Sequence, residues 1–179
     1  MSTVPDRQHA VKTDGPDPAS DPAPRTPAGD AFSGLVIRVF RLSGMLADEG
    51  DALARPAGQT TARWQVLAAT EDAPRSVADI ARALGLARQS VQRVADALES
   101  GGFVRYEDNP RHRRARHVVP TDAGRDALRR IQAEQRPWAD EIGGRIGIRD
   151  LERLNASLDR VARAVDAAAA ARVRDAGRA

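Results

Sequence analysis

The stretch from Ser76 to Thr121, SVADIARALGLARQSVQRVADALESGGFVRYEDNPRHRRARHVVPT, constrains the fold more than any other part of the chain. Val77, Ile80, Ala81 and Leu84, then Val91, Val94, Ala95 and Leu98, recur at three- and four-residue spacing and predict two short amphipathic helices. Gly85 stands between them, where glycine can turn the chain through a positive φ without steric cost. Ala81 lets the helices approach, Gly85 makes the turn, and the branched Val91 locks the second helix onto the first. Ser76, three residues before Asp79, predicts a shortened capping box. Gly101 and Gly102 stop the second helix, and Phe103, Val104, Tyr106, Val118 and Val119 have strand character. Asp108, Asn109 and Pro110 mark a turn, with RHRRAR on its far side. The pattern is a helix-turn-helix followed by a basic wing.

The flanks read as apparatus for pairing. Residues 1–30 hold six of the eleven prolines and almost nothing apolar, which predicts a disordered extension. Phe32, Leu35, Val39, Leu42, Leu46 and Leu53 then form a helical seam, widened by Val36, Ile37, Phe40 and Met45. A stripe that wide predicts a helix covered on two sides, by its own domain and by another subunit. Pro56 and Gly58 close it, and Thr60 or Thr61 can cap a helix over about 61–70 that points Trp64, Leu67 and Ala68 inward. Beyond the wing, Thr121 can cap a fifth helix carrying Ala127, Leu128, Ile131, Trp138 and Ile142. Pro137 is predicted to kink or divide that helix, and Gly143, Gly144 and Gly147 to break the chain again. Leu151, Leu154, Leu158, Val161 and Val165 mark a last helix over about 149–172, with a seam narrow enough to predict a symmetry mate. The predicted organisation is a 1–30 extension, a 31–58 dimerisation helix, a 59–121 winged helix-turn-helix, 122–172 dimerisation helices and a flexible 173–179 tail. The fold class is mainly α with a small β-wing.

Charge supports a polyanionic partner. The net charge is +3, but residues 1–30 carry three basic and five acidic side chains, so the remainder carries about +5. Lys12 is the one lysine among 28 basic residues, so the placement of the arginines says more than their number. With no cysteine there is no disulfide, thiolate metal site, cysteine nucleophile or thiol switch. No apolar run can span a bilayer and the N-terminus lacks a signal-peptide core, so the cytoplasm is the expected location and no membrane is involved. His112 and His117 have no further ligands nearby, which argues against a metal. Glu71–Asp72 and Glu107–Asp108 are adjacent rather than face-matched, GGRIG lacks a phosphate-loop context, and no serine or threonine has a readable base. Neither an enzyme nor a cofactor is expected.

The second helix of such a motif fits the major groove of double-stranded DNA. Arg88 could pair with guanine, Gln89 and Gln92 with adenine, and Ser90 and Arg93 with bases or phosphate. In the wing, Arg111, His112, Arg113, Arg114 and Arg116 are placed for a neighbouring minor groove or backbone, adding affinity through counterion release. A solvated arginine loop is the bland alternative, and four arginines in six residues beside a helix-turn-helix weigh against it. Phe40 and Trp64 fall on segments expected to meet between the DNA-reading unit and the pairing helices, and are candidate walls of a ligand pocket.

The order TTARWQVLAAT, SVADIARALGLARQSVQRVADALESGGFVRY and NPRHRRARHVVPTDAG, with a helix before and two after, resembles the multiple-antibiotic-resistance regulator (MarR) family over residues 31–172. The wing is its most specific part, Arg113–Arg114 followed by Val118, Val119, Thr121 and Gly124. The resemblance implies a homodimeric winged-helix repressor, interlocked through its first, fifth and sixth helices and released by a small aromatic or phenolic effector. It assigns Arg88, Gln89, Ser90, Gln92 and Arg93 to the major groove and Arg113 and Arg114 to the wing. Two departures stand out. His112 replaces the acidic residue that braces the paired arginines, which implies a less rigid wing and a mild pH dependence. Ala87 replaces the Ser or Thr that opens the recognition helix, and losing such a cap typically costs about 1 kcal/mol. The alternative function is a protein-interaction or non-specific nucleoid module without ligand control.

Overall fold

A computed structural model describes residues 25–110 and 115–178. The described residues divide into two units at the step from Leu42 to Ser43. Helix α1, Pro27–Ala54, crosses that boundary. It starts four residues before the predicted Ala31, because Thr26 Oγ1 accepts the Gly29 amide at 3.1 Å and Pro27 stands where its missing N–H is no loss. In the first unit, Phe32, Ile37, Val39, Phe40 and Leu42 of α1 are all exposed.

In the second unit, α1 ends in a single 3₁₀ turn, Arg55–Ala57, closed by Gly58. Then come α2 (Thr61–Ala68), β1 (Arg75–Ser76), α3 (Val77–Leu84), α4 (Arg88–Ser100), β2 (Val104–Glu107), β3 (His117–Pro120), α5 (Asp122–Ile146) and α6 (Ile148–Ala176). Thr60 caps α2 through the Arg63 amide, and Thr121 caps α5 through the Gly124 amide, as their positions predict. Ser76 Oγ accepts the Asp79 amide at 3.2 Å and donates to Asp79 Oδ2 at 2.6 Å. That bond and Arg82 hold the Asp79 carboxyl below its usual range. The predicted turn is present. Gly85 takes φ +65°, and the Leu86 amide reaches back to the Ala81 carbonyl at 2.9 Å, closing α3 as a Schellman motif.

Three further features differ from expectation. The sheet has a third strand, the two-residue β1, and its order is β1-β3-β2, all antiparallel. Arg75 pairs with Val118 and Ser76 with His117, so a partner 41 or more residues away makes this strand, not local propensity. α5 runs unbroken through Pro137, Gly143 and Gly144 and ends at Gly147, φ +89°. Proline removes a single backbone donor, and a helix already anchored by Leu128 and Ile131 absorbs that loss. α6 runs to Ala176, so part of the 173–179 tail is helical, as the high helix propensity of its alanine run allows.

The core lies inside the second unit, where α2, α3, α4, the sheet and the first half of α5 converge. Leu67, Ile80, Leu98, Leu128, Ile131, Val66, Val91 and Val118 are almost fully buried there. Gly124 fastens α5 to this core. A side chain on it would collide with the Phe103 carbonyl, which accepts the Thr121 amide at 3.0 Å. Only glycine permits that approach.

Candidate nucleic-acid interface

α4 presents an open N-terminal half. Its N-cap Ala87 is extended and makes no side-chain capping bond. Arg88, Gln89 and Arg93 are exposed, and Ser90 and Gln92 are half-buried. Among the described residues neither Arg88 nor Arg93 is in an ion pair, so both guanidinium groups are available to an anion. Gln92 differs from Gln89. Its Nε2 donates to Asp96 Oδ1 and to the Tyr106 hydroxyl, each at 2.8 Å, which ties the amide nitrogen to groups within the protein.

The wing is the β2–β3 hairpin, with Tyr106 opposite Val118 and Glu107 opposite His117. Arg111, His112, Arg113 and Arg114 lie outside the described residues. Arg116 is described, and it is folded back onto the hairpin. Its Nη2 donates to the Tyr106 carbonyl at 2.7 Å, and its guanidinium carbon lies 5.1 Å from the centre of the Tyr106 ring. The Tyr106 hydroxyl donates to Asp96 Oδ1 at 2.8 Å. Burial, then the bond to Asp96 and its charge, push the phenol's pKa upward, so it stays a donor. Among the described residues no group of three or more His, Asp or Glu could hold a metal.

A groove on the flank of α4 is lined by Thr60, Arg63, Ser90 and Arg93. Arg63 sits in the first turn of α2. The sequence offers no signal for Arg63, because only the packing of α2 on α4 brings it beside Arg93.

The predicted pairing seam is open in the single chain. No residue of α6 is buried, and Leu154, Leu158 and Val165 are 53%, 47% and 44% exposed, with Leu151 and Val161 half-buried.

A cavity of about 400 Å³ opens in the second unit, walled by Leu46, Leu53, Trp64, Gln65, Leu84 and Trp138 among others. Trp64 is where its helix face placed it. Phe40 is 73% exposed and is not part of the lining. Among the described residues no charged side chain lines this space. Thr61, also in the lining, has its hydroxyl bound to the Ala47 carbonyl at 2.8 Å, which leaves the Gln65 amide and the indole N–H groups as polar handles.

Residues 57–115 match the profile of the MarR family. A protein of Mycobacterium tuberculosis with no assigned function is 41% identical over 102 residues, spanning 57% of this chain and 71% of its own. The transcriptional activatory protein BadR of Rhodopseudomonas palustris is 32% identical over 144 residues, 75% of this chain and 82% of BadR. Three solved structures share the fold. The regulator BldR of Sulfolobus solfataricus has a TM-score of 0.65 at 22% identity, over 74% of this chain and 94% of its own. MosR of M. tuberculosis, solved with DNA, has 0.64 at 21%, over 74% and 96%. CouR of Rhodococcus jostii, solved with p-coumaroyl-CoA, has 0.64 at 19%, over 72% and 91%.

Proposed function

The chain belongs to the MarR family of transcriptional regulators, not to an enzyme family, and from that premise we propose that it acts as a cytoplasmic homodimeric repressor. It binds a pseudo-palindromic operator and is released by a small, uncharged aromatic ligand. The observation that carries this reading is the open face of α4, with Arg88, Gln89 and Arg93 exposed beside a wing whose base is braced. MosR, of the same fold, was solved on DNA. The unburied leucine seam of α6 supports a dimer, whose two recognition helices would read half-sites about one helical turn apart. The uncharged cavity supports the ligand, since two indole walls suit a flat ring and no cation waits for a carboxylate. CouR, with the same fold, was solved with a phenolic acyl thioester bound. No helix among the described residues is long and apolar enough to cross a membrane.

Selection of fragmented genomic DNA by the purified protein tests the reading. A short pseudo-palindrome should be enriched, and Arg63→Ala should reduce the slope of log affinity against log salt by about one. Equal binding of random and selected duplexes would instead indicate a non-specific module. BadR is an activator, which favours a second reading in which this protein recruits transcription rather than blocking it. A reporter carrying the selected site, with and without the regulator, separates the two by the sign of the change.

A further inference from the structure

Gln92, Asp96 and Tyr106 form a closed polar triangle between recognition helix and wing. Gln92 and Asp96 are four residues apart on α4, hence on one face, and that face is turned to β2. Three 2.8 Å contacts join the Gln92 amide, the Asp96 carboxylate and the Tyr106 hydroxyl. The Tyr106 ring packs on the core below, and its other side faces the Arg116 guanidinium. Arg116 begins the return limb of the wing, next to Ala115, and both line a cleft opposite Arg88 and Gln92. Tyr106 and Arg116 lie on the same hairpin and move together, so any tilt of the wing against α4 has to move the Tyr106 ring relative to Gln92 and Asp96. Movement of the ring in turn strains bonds that include a charged acceptor, the stronger kind of hydrogen bond.

We propose that Tyr106 is a positioning residue for DNA binding, which holds the wing at a set angle to the recognition helix, and that Gln92 belongs to this brace and not to base reading. This rests on the regulator reading above and deepens it. A glutamine that reads adenine has to turn its Nε2 and its oxygen to the base, and here Nε2 is held by two acceptors within the protein. Gln89, one position from Arg88 and exposed, keeps its amide for the groove.

The test uses the full chain and the duplex that it selects from genomic fragments, together with every single-base variant of that duplex. Tyr106→Phe keeps the ring against Arg116 and removes only the hydroxyl. It should weaken binding about tenfold, by a similar factor on every variant duplex, while the thermal midpoint shifts by only a few degrees. Gln92→Ala should behave in the same way, and the double variant should lose no more than the larger single loss, because the two act as one unit. Binding by Tyr106→Phe at the wild-type level, additive losses, or relaxed preference at a single base pair in Gln92→Ala would each overturn the proposal. A DNA-free arm separates its failure from failure of the regulator reading. Tyr106 is the only tyrosine in the chain, so NMR of protein with isotope-labelled tyrosine reports it alone at neutral pH. Asp96→Asn should move the resonance of the ring carbon that bears the hydroxyl, and an unchanged resonance would overturn the triangle even if the wild type selects no DNA.

Discussion

α4 and α6 follow one rule and end in opposite states. Both repeat apolar side chains every three or four residues. In α4 those residues, Val91, Ala95 and Leu98, are at most 1% exposed, whereas α6 buries none of its own. The difference lies in the neighbours. α2, α3 and β2 close over α4, while nothing among the described residues of the second unit covers the seam of α6, which leaves a row of leucines in water. Burying one such side chain is worth about 1.5–3 kcal/mol, so a seam of this length is a strong drive toward association. Helical period thus announces that a face will be covered, and says nothing of whether the cover comes from the same chain.

The largest effects should separate the two helices. Leu98→Ala should destabilise the fold by about 2–5 kcal/mol in chemical denaturation and leave the oligomeric state unchanged. Leu158→Asp should halve the mass in solution with the helical circular dichroism retained, and weaken operator binding on the order of a hundredfold through lost bivalency. If Leu158→Asp unfolded the chain without changing its mass, the α6 seam would be internal and the contrast with α4 would collapse. Gly124→Ala should follow, at about 1–3 kcal/mol, since the added carbon meets the Phe103 carbonyl where α5 joins the α4 side of the molecule. A wild-type denaturation midpoint would show that this junction yields.

Smaller effects sharpen the picture on the α4 side. Ala87→Ser should stabilise by about 1 kcal/mol, because Ala87 already has the extended backbone of a cap and lacks only the oxygen. An unchanged midpoint would mean that solvent already satisfies the first turn. Asp51 gives the smallest change. Its carboxylate accepts the Thr61 amide at 2.6 Å, and that bond, ahead of the Thr61 side chain, holds its pKa below the usual value. A carboxyl depressed in the folded state contributes stability above its unfolded pKa of about 3.9, and that contribution is lost as pH falls through the folded value. Thermal melts between about pH 2 and 5 should therefore show a shallower acid limb in Asp51→Asn, and identical limbs would remove Asp51 from the acid response.

Legibility followed the range of the interaction. Ser76, Thr60 and Thr121 act on amides three residues ahead, and Gly85 on its own backbone, so all four could be read from the sequence. β1 could not, because its ladder partners lie on β3. The place of Arg116 in the wing could be read, but its bond to the Tyr106 carbonyl, ten residues away, could not. Gln92 read as equal to Gln89 until Tyr106, fourteen residues on, was brought to it. The part of Leu46 and Leu53 in a cavity could not be read from the α1 stripe, because it depends on Trp64 and Trp138 arriving beside them.

By itself the sequence determined the helix-turn-helix, its caps, its turn, and the family to which it belongs, because those depend on contacts a few residues apart. Tertiary structure alone decided which polar side chains of α4 remain free for a ligand and which are tied to the wing. A side chain's period on a helix sets the direction in which it points. What it meets there depends on segments that arrive from elsewhere in the chain.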